Sequence, residues 1–176
     1  MAAVADDRVC EPGAMLIRDV VPAADTELAR ALLRIQRAAY AVEAAVIQDD
    51  RIPPLHENLD DLQHARLRWL IAVFDGQVCG AVAWTEDADE VDLDRLIVAP
   101  GAHRRGVGLA LVGTVLRRAA ARRTTVSTAR ANGPARALYE RLGFSAVHDR
   151  EFLPGLWITR YLHIPKENAP ADGGNG

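Results

Sequence analysis

The sequence predicts an α/β (α+β) fold, with about four helices packed on a mixed sheet of about seven strands. One segment joins an apolar strand ending at Val98 to a basic, glycine-containing loop and an apolar helix over 107–121. A second segment is an amphipathic helix that begins at Asn132, whose side chain can cap it, and ends at Gly143. Strands and helices that alternate in this way are typical of one sheet covered by helices.

Hydrophobic periodicity and turn signals place the other elements. Asp25 or Thr26 caps a first helix, and Asn58 or Asp60 opens a short second one. The dipeptide Asp75-Gly76 lies between two apolar runs and predicts a hairpin turn. In chain order, the predicted elements are a strand at 16–20, helices at 26–40 and 60–65, strands at 69–74, 78–84 and 91–98, a helix at 107–121, a strand at 124–129, the helix from Asn132, and strands at 144–147 and 156–162.

Composition indicates one small globular domain, because 49% of the 176 residues are hydrophobic and 26% are charged. We expect the domain to occupy residues 14–164. The ends lack hydrophobic periodicity, which predicts a mobile N-terminal tail at 1–13 and a disordered C-terminal tail at 165–176. Cys10 and Cys79 are too few for a disulfide framework, so we expect reduced thiols.

Charge and hydropathy argue against several classes of protein. A net charge of −3 does not suit a general nucleic-acid binder, and no apolar stretch reaches the length of a membrane span. The first residues lack the basic and apolar regions of a signal peptide, so we expect a cytoplasmic protein without nucleic-acid or membrane partners. We expect no metal, since His56-Glu57 has no second histidine at the spacing of a zinc motif.

The loop that leads into the helix at 107 has the features of an anion site. The first N–H groups of a helix have no partners within it, and the helix dipole favours negative charge there. Glycines at 106 and 108 place no Cβ between the backbone and a phosphate. Two nucleotide-binding loops do not fit. Val107 stands where a P-loop needs lysine, and Leu111 stands where a dinucleotide fingerprint needs glycine.

This segment resembles the acetyl-CoA loop of the GNAT superfamily of N-acetyltransferases, [QR]-x-x-G-x-[GA] after a strand ending in V-x-P. Val98-Ala99-Pro100 and the run from His103 to Gly108 follow this pattern, except that His103 replaces the usual Gln or Arg. The run from Asn132 to Phe144 matches the second family motif, N-x-x-A-x-x-L-Y-x-x-x-G-F, at every fixed position. The resemblance spans about residues 15–163.

The resemblance implies the GNAT fold, in which strands four and five splay apart and the pantetheine arm of acetyl-CoA lies between them. Backbone N–H groups of strand four would polarise the thioester carbonyl, where charge develops during the reaction. An amine, expected to be a primary amine on a small molecule or peptide, then attacks the acetyl carbon directly in a ternary complex. The residues implied in acetyl-CoA binding are Leu96, Ile97, Val98, His103, Arg104, Arg105, Gly106, Val107, Gly108, Asn132 and Tyr139.

Two proton transfers need side chains. Tyr139 occupies the family's position for the acid that protonates the leaving thiolate, although its periodicity is equally typical of a core tyrosine. A protonated amine must lose a proton before it attacks. Asp92 and Asp94 are the candidate bases, because strand period two places both on one face, but a solvated strand edge explains them equally well. Glu43 and Glu57 are weaker candidates, and ordered water alone is a further alternative.

The acceptor site is expected near the first two helices and strand three. Its candidate residues are Tyr40, Glu43, Glu57 and Trp84, with Ile47 and His56 nearby. Carboxylates in this set favour a cationic amine. Two other classes of function stay open: a non-catalytic acetyl-CoA sensor, and a module that binds a partner through its acidic surface and Trp84 or Trp157. The resemblance alone suggests a homodimer.

Overall fold

The computed structural model of the protein describes residues 14–165. The tails predicted at 1–13 and from 165 onward, and Cys10, lie outside this range, apart from residue 165 itself. The described part of the chain forms a seven-stranded mixed sheet with four α-helices, which confirms the predicted fold class. Within it, no helix is both long and apolar enough to cross a membrane.

Four helices and seven strands follow one another closely along the chain. The α-helices are α1 (Thr26–Ile47), α2 (Leu59–His64), α3 (Val107–Ala119) and α4 (Gly133–Arg141). The strands are β1 (Leu16–Val20), β2 (Arg68–Phe74), β3 (Gln77–Glu86), β4 (Glu90–Val98), β5 (Arg123–Ala129), β6 (Ser145–Leu153) and β7 (Leu156–His163). Short 3-10 turns at Pro22–Ala24, Pro53–Leu55 and Pro100–Ala102 lie in the connections.

Two elements, α1 and β6, extend at least five residues beyond their predicted ends. α1 continues seven residues past Tyr40, because an alanine-rich run favours the helix until Gln48 adopts a left-handed φ of 56°. β6 extends to Leu153 rather than ending at Val147. Nearly all its residues are exposed, so this edge strand has no apolar alternation from which its length could be predicted.

The strand order is β1-β2-β3-β4-β5-β7-β6, and β4 and β5 run parallel while the other neighbouring pairs are antiparallel. Pairing between β4 and β5 covers four residues of each strand and stops at Leu93 and Val126. Beyond that point β4 continues to Val98 and β5 to Ala129 without pairing to each other. The strands are therefore splayed, as predicted from the family resemblance.

A β-bulge in β4 marks the start of the splay. Ala83 pairs with Arg95 and Trp84 pairs with Leu93, so Asp94 has no partner in β3. One extra residue of this kind bends its strand and increases the local twist. The bulge therefore turns the second half of β4 away from β5.

Hydrophobic clusters cover both faces of the sheet. One contains α3 residues and the aromatic side chains Tyr139, Phe144 and Tyr161. The other contains α1 residues, Leu62 of α2 and Trp69. Helices α1 and α2 therefore pack on one face of the sheet, and α3 and α4 on the other. A side chain from α1 can approach one from α4 only where the sheet is open.

Gly80 lies in β3 where the first residue of α3 packs on the sheet, and there is no room for a larger residue at this position. A Cβ on Gly80 would lie 2.8 Å from the Ile97 carbonyl oxygen and 2.9 Å from Val107 Cγ1. We expect Gly80→Ala to lower the free energy of unfolding by roughly 1–3 kcal/mol, because the added methyl overpacks a backbone contact. Chemical denaturation measures this loss.

Gly113→Ala is the matched control, since a Cβ there would meet nothing closer than Arg117 Nη1 at 3.6 Å. Alanine favours a helix by up to about 1 kcal/mol over glycine, so this variant should be neutral or more stable. Equal losses in the two variants would contradict the packing argument.

Candidate functional site

The gap between β4 and β5 exposes strand backbone in the middle of the sheet. Leu96, Ile97 and Val98 lie in the part of β4 that no longer pairs with β5. Their other edge pairs with β3, which holds the strand in place. An extended ligand in the gap can therefore hydrogen-bond to β4 as an additional strand would.

The loop before α3 has the backbone of an anion site. Arg104 and Gly106 have left-handed φ angles of 63° and 76°, and Arg105 between them does not. Such alternation turns successive N–H groups toward one side and forms a concave nest for anions. Gly106 is also the N-cap residue of α3. It has no side chain that could accept a hydrogen bond from the first N–H groups of the helix.

The basic side chains of this loop take three different positions. The Nε2 atom of His103 lies 3.2 Å from the Val98 carbonyl oxygen, so the ring folds back onto the end of β4. The Arg105 guanidinium stacks over the Phe74 ring, 5.7 Å from its centroid. Arg104 is exposed. Replacement of the family's Gln or Arg by His103 therefore leaves the backbone nest intact.

The two glycines of the motif have different roles in the structure. Gly106 is needed for its left-handed φ, and a Cβ there would touch nothing within 4 Å. Gly108 is buried, and a Cβ on it would come within 2.8 Å of Leu138 Cδ1. Gly108 thus allows α3 to pack closely against α4. This packing role is additional to the role predicted from the sequence, which was to let a phosphate approach the backbone.

Tyr139 is held rigidly on α4. The helix begins after Asn132, whose Oδ1 accepts a hydrogen bond from the Ala135 N–H at 3.1 Å. The Tyr139 ring is 5% exposed and packs against Phe144 and Tyr161, with centroid distances of 5.6 and 6.1 Å. Burial raises the pKa of Tyr139, and the Glu43 carboxylate raises this pKa further. The phenol therefore keeps its proton at neutral pH.

Glu43 approaches from the opposite face, on the last turns of α1. Burial raises the pKa of its carboxyl, and the neighbouring Asn132 amide opposes part of that rise. Burial also raises the pKa of Tyr40; Arg95 opposes this rise, while Glu43 and Asp94 add to it. Groups from α1 and α4 thus act on one another across the splayed strands.

A cleft of about 430 Å³ lies on the α1 face of the sheet, next to Tyr40 and Glu43. One wall is formed by α1 and the 3-10 turn at Pro53–Leu55, and the other by β5 and the β6–β7 hairpin. Of the predicted acceptor residues, Tyr40, Glu43 and Glu57 line this cleft, together with Asp94.

A buried charge cluster forms the floor of the cleft around Arg95, whose side chain is 6% exposed. Its Nε lies 2.6 Å from Asp94 Oδ2, and its Nη1 lies 2.5 Å from Glu57 Oε2 and 3.1 Å from Gln36 Oε1. The Trp69 ring lies 5.8 Å from the guanidinium carbon. Because Gln36 also donates to the Pro54 carbonyl oxygen at 2.8 Å, the cluster ties β4 to the wall of the cleft.

Arg95 and Gln36 were not among the residues predicted for the site. Arg95 continues the alternation of buried residues that Val91 and Leu93 begin in β4. A charged residue at a buried position of a strand indicates that its charge is paired. Gln36 lies on the apolar face of α1 and is fully buried. Arg150 also lines the cleft and was missed, because β6 was predicted to end before it.

Three predicted residues are not brought to the cleft. Asp92 accepts a hydrogen bond from Thr125 Oγ1 at 2.7 Å and lies 3.4 Å from Arg160 Nη1. Trp84 packs in the core on the α3 face, where its Nε1 donates to Glu86 Oε2 at 3.3 Å. His56 contacts the Asp50 carbonyl oxygen at 2.7 Å. The structure therefore argues against Asp92 as the base and Trp84 as a substrate contact.

Comparison with known proteins agrees with these features. Residues 29–144 match the model of the acetyltransferase (GNAT) family, and the chain belongs to that family. This confirms the family predicted from the two motifs.

A curated relative, the UPF0157 protein YqkA of Bacillus subtilis (strain 168), is 30% identical over 143 residues. That match covers 81% of this chain and 42% of the relative, so the chain spans less than half of that protein's length.

Two solved structures share the fold. The ribosomal-protein-S18-alanine N-acetyltransferase of Escherichia coli superposes with a TM-score of 0.66 and 19% identity, over 89% of this chain and 99% of that one. The yncA structure from Salmonella typhimurium, solved with its cofactor acetyl-CoA, gives a TM-score of 0.62 and 21% identity. The match covers 90% of this chain and 98% of that one.

Proposed function

We propose that this protein is an acetyl-CoA-dependent N-acetyltransferase that transfers an acetyl group to a primary amine by direct attack. The observation that carries this proposal is the gap between β4 and β5, with the nest at residues 104–106 before α3 and the cleft lined by Glu43 on the α1 face. Tyr139 packs in the cluster on the opposite face of the sheet. A base on the acceptor side and an acid on the donor side are the two groups that such a transfer requires.

The gap and the loop before α3 suit acetyl-CoA. The nest at residues 104–106 and the start of α3 can bind the pyrophosphate, and the edge of β4 from Leu96 to Val98 that does not pair with β5 can pair with the pantetheine arm. The structural neighbour yncA contains acetyl-CoA, which supports the same ligand here. When bound, acetyl-CoA supplies an acetyl thioester, and N–H groups of β4 can stabilise the charge that develops on its carbonyl oxygen.

Glu43 accepts the proton that the attacking amine must lose. An alkylammonium has a pKa of about 10.4, so a base is needed near neutral pH. The raised pKa of Glu43 makes its carboxylate a stronger base than an exposed glutamate. Asp94 also lines the cleft, but Arg95 engages its carboxylate at 2.6 Å.

Tyr139 donates the proton that the leaving thiolate takes up. Its raised pKa keeps the phenol protonated throughout the neutral range. Its packing between Phe144 and Tyr161 fixes the ring, so the hydroxyl needs no reorientation during the reaction.

The first variant tests the acid. Tyr139→Phe should lower kcat by roughly 10²-fold, because one proton transfer loses its donor. The dissociation constant for acetyl-CoA should change little, since the ring and its packing remain. Steady-state kinetics and calorimetric titration measure the two quantities.

An unchanged kcat in Tyr139→Phe would remove Tyr139 from the mechanism. Acetyl-CoA binding without acetylation of any amine by the unmodified protein would instead indicate a sensor and would overturn the proposed function.

The second variant tests the base. Glu43→Gln should lower kcat/KM by roughly 10²-fold or more and remove the limb of the pH profile that rises with ionisation of Glu43. That limb should lie above the pH of an ordinary glutamate, whose pKa is about 4.3. Glu27→Gln, on the exposed first turn of α1, is the control and should keep the limb.

Stability gives a second readout for Glu43. Its folded-state pKa is raised, so its contribution to stability is present below the unfolded pKa and is lost as the pH rises through the folded one. Glu43→Gln avoids that loss and should be equally or more stable at neutral pH. A variant that is inactive because it is unfolded would contradict this expectation.

A further inference from the structure

We propose that the acceptor carries a carboxylate in addition to its reacting amine, and that Arg150 binds this carboxylate. The proposal rests on the proposed function and specifies its substrate class. The cleft has an acidic group at one end, Glu43, and a guanidinium on its hairpin wall, Arg150. A ligand with both charges would match it.

The other two arginines that line the cleft are already engaged. Arg95 is paired with Asp94 and Glu57 in the floor. Arg51 lies 2.6 Å from Asp49 and also donates to the Pro154 carbonyl oxygen at 3.1 Å, which links the α1–α2 connection to the β6–β7 turn. Both arginines are thus committed to holding the walls of the cleft.

Arg150 differs from these two arginines. Among residues 14–165, no carboxylate lies within ion-pair distance of it; its guanidinium instead lies over the Phe152 ring, 6.0 Å from the centroid. Stacking on an aromatic ring orients a guanidinium without neutralising it. Arg150 can therefore form a two-point hydrogen-bonded pair with an incoming carboxylate.

The sheet register sets the distance between the two ends of the cleft. Ala129 of β5 pairs with Ile158 of β7, and Ile158 pairs with Arg150 of β6. With strands about 4.8 Å apart, the Cα of Arg150 is about 10 Å from the edge of the gap. Apolar Ile158 and Leu156 line the space between.

This span defines the acceptor more closely. We expect an amine and a carboxylate separated by a distance on the order of 10 Å, two strand spacings, across a partly apolar surface. Short peptides acetylated at the amino terminus, and amino acids whose reacting amine is on the side chain, have this arrangement.

The test compares dipeptides with their C-terminal amides as acceptors, with acetyl-CoA saturating. We expect kcat/KM to be roughly ten- to a hundred-fold higher for the acids, since the amides lose a charge-assisted pair. Arg150→Gln should remove this preference by raising KM for the acids, with KM for acetyl-CoA unchanged.

Arg130→Gln is the matched control. Arg130 also stacks on an aromatic ring of the β6–β7 hairpin, 5.1 Å from the centroid of Trp157, but it does not line the cleft. This variant should keep the preference for acids.

The outcomes separate the two proposals. Equal turnover of acids and amides, or an acid preference that survives in Arg150→Gln, would overturn the carboxylate proposal and leave the N-acetyltransferase intact. If no dipeptide, amide or simple alkylamine is acetylated, the proposed function itself fails, and the substrate class with it.

Discussion

The separation of β4 from β5 after Leu93 and Val126 is the feature on which the rest of the site depends. A sheet that stayed paired would keep α1 and α4 on opposite sides of a closed wall. Because the strands part, the Glu43 carboxylate on one face can raise the pKa of Tyr139 on the other, and β4 beyond Leu93 does not pair with β5. The proposed donor and acceptor sites share this opening.

The bulge at Asp94 makes this separation compatible with a stable fold. It places Arg95 on the α1 face, where a buried guanidinium would be costly without partners. Asp94, Glu57 and Gln36 supply those partners, and Gln36 joins the cluster to Pro54. The charges that stabilise the bulge therefore also fix the wall of the acceptor cleft.

In the proposed reaction, recognition of the donor would depend on backbone groups, whereas recognition of the acceptor would depend on side chains. The nest at residues 104–106 and the edge of β4 that does not pair with β5 offer main-chain N–H groups, and His103 in place of Gln or Arg removes none of them. The cleft instead is lined by the side chains of Glu43, Arg150 and the apolar Ile158, and the fold itself does not require these residue types. The acetyl donor is therefore easier to infer than the acceptor.

Much of the fold was predictable from the sequence, and the limits have physical causes. The loop at 99–106 and the helix from Asn132 carry local signals, a basic glycine turn and a capped amphipathic stripe, and both were predicted near their observed bounds. The two-residue repeat of a regular strand places Asp92 and Asp94 on the same face, so the sequence does not distinguish them. The bulge, which depends on pairing with β3, places one in the cleft and leaves the other outside it.

Tertiary packing determines the positions of the remaining site residues, which local sequence patterns do not show. Trp84 lies on the α3 face together with Val82, as strand period two requires, whereas Ala81 and Ala83 face α1; which helices cover each face is set by tertiary packing. Glu43 was predicted as a weaker candidate base, beyond a helix ending at Tyr40; α1 instead continues to Ile47 and places Glu43 in the wall of the cleft. The assignments of Tyr139, Glu43 and the loop residues to roles in the reaction remain predictions.

Thermal denaturation with acetyl-CoA tests the central claim most directly, because a ligand that binds the folded state raises its stability. A concentration one hundred times the dissociation constant should add about 2.7 kcal/mol and raise Tm. ATP, which has phosphates but no pantetheine arm to pair with β4, should raise Tm less at the same concentration. No rise in Tm with millimolar acetyl-CoA, or an equal rise with both ligands, would contradict the binding of acetyl-CoA between the splayed strands.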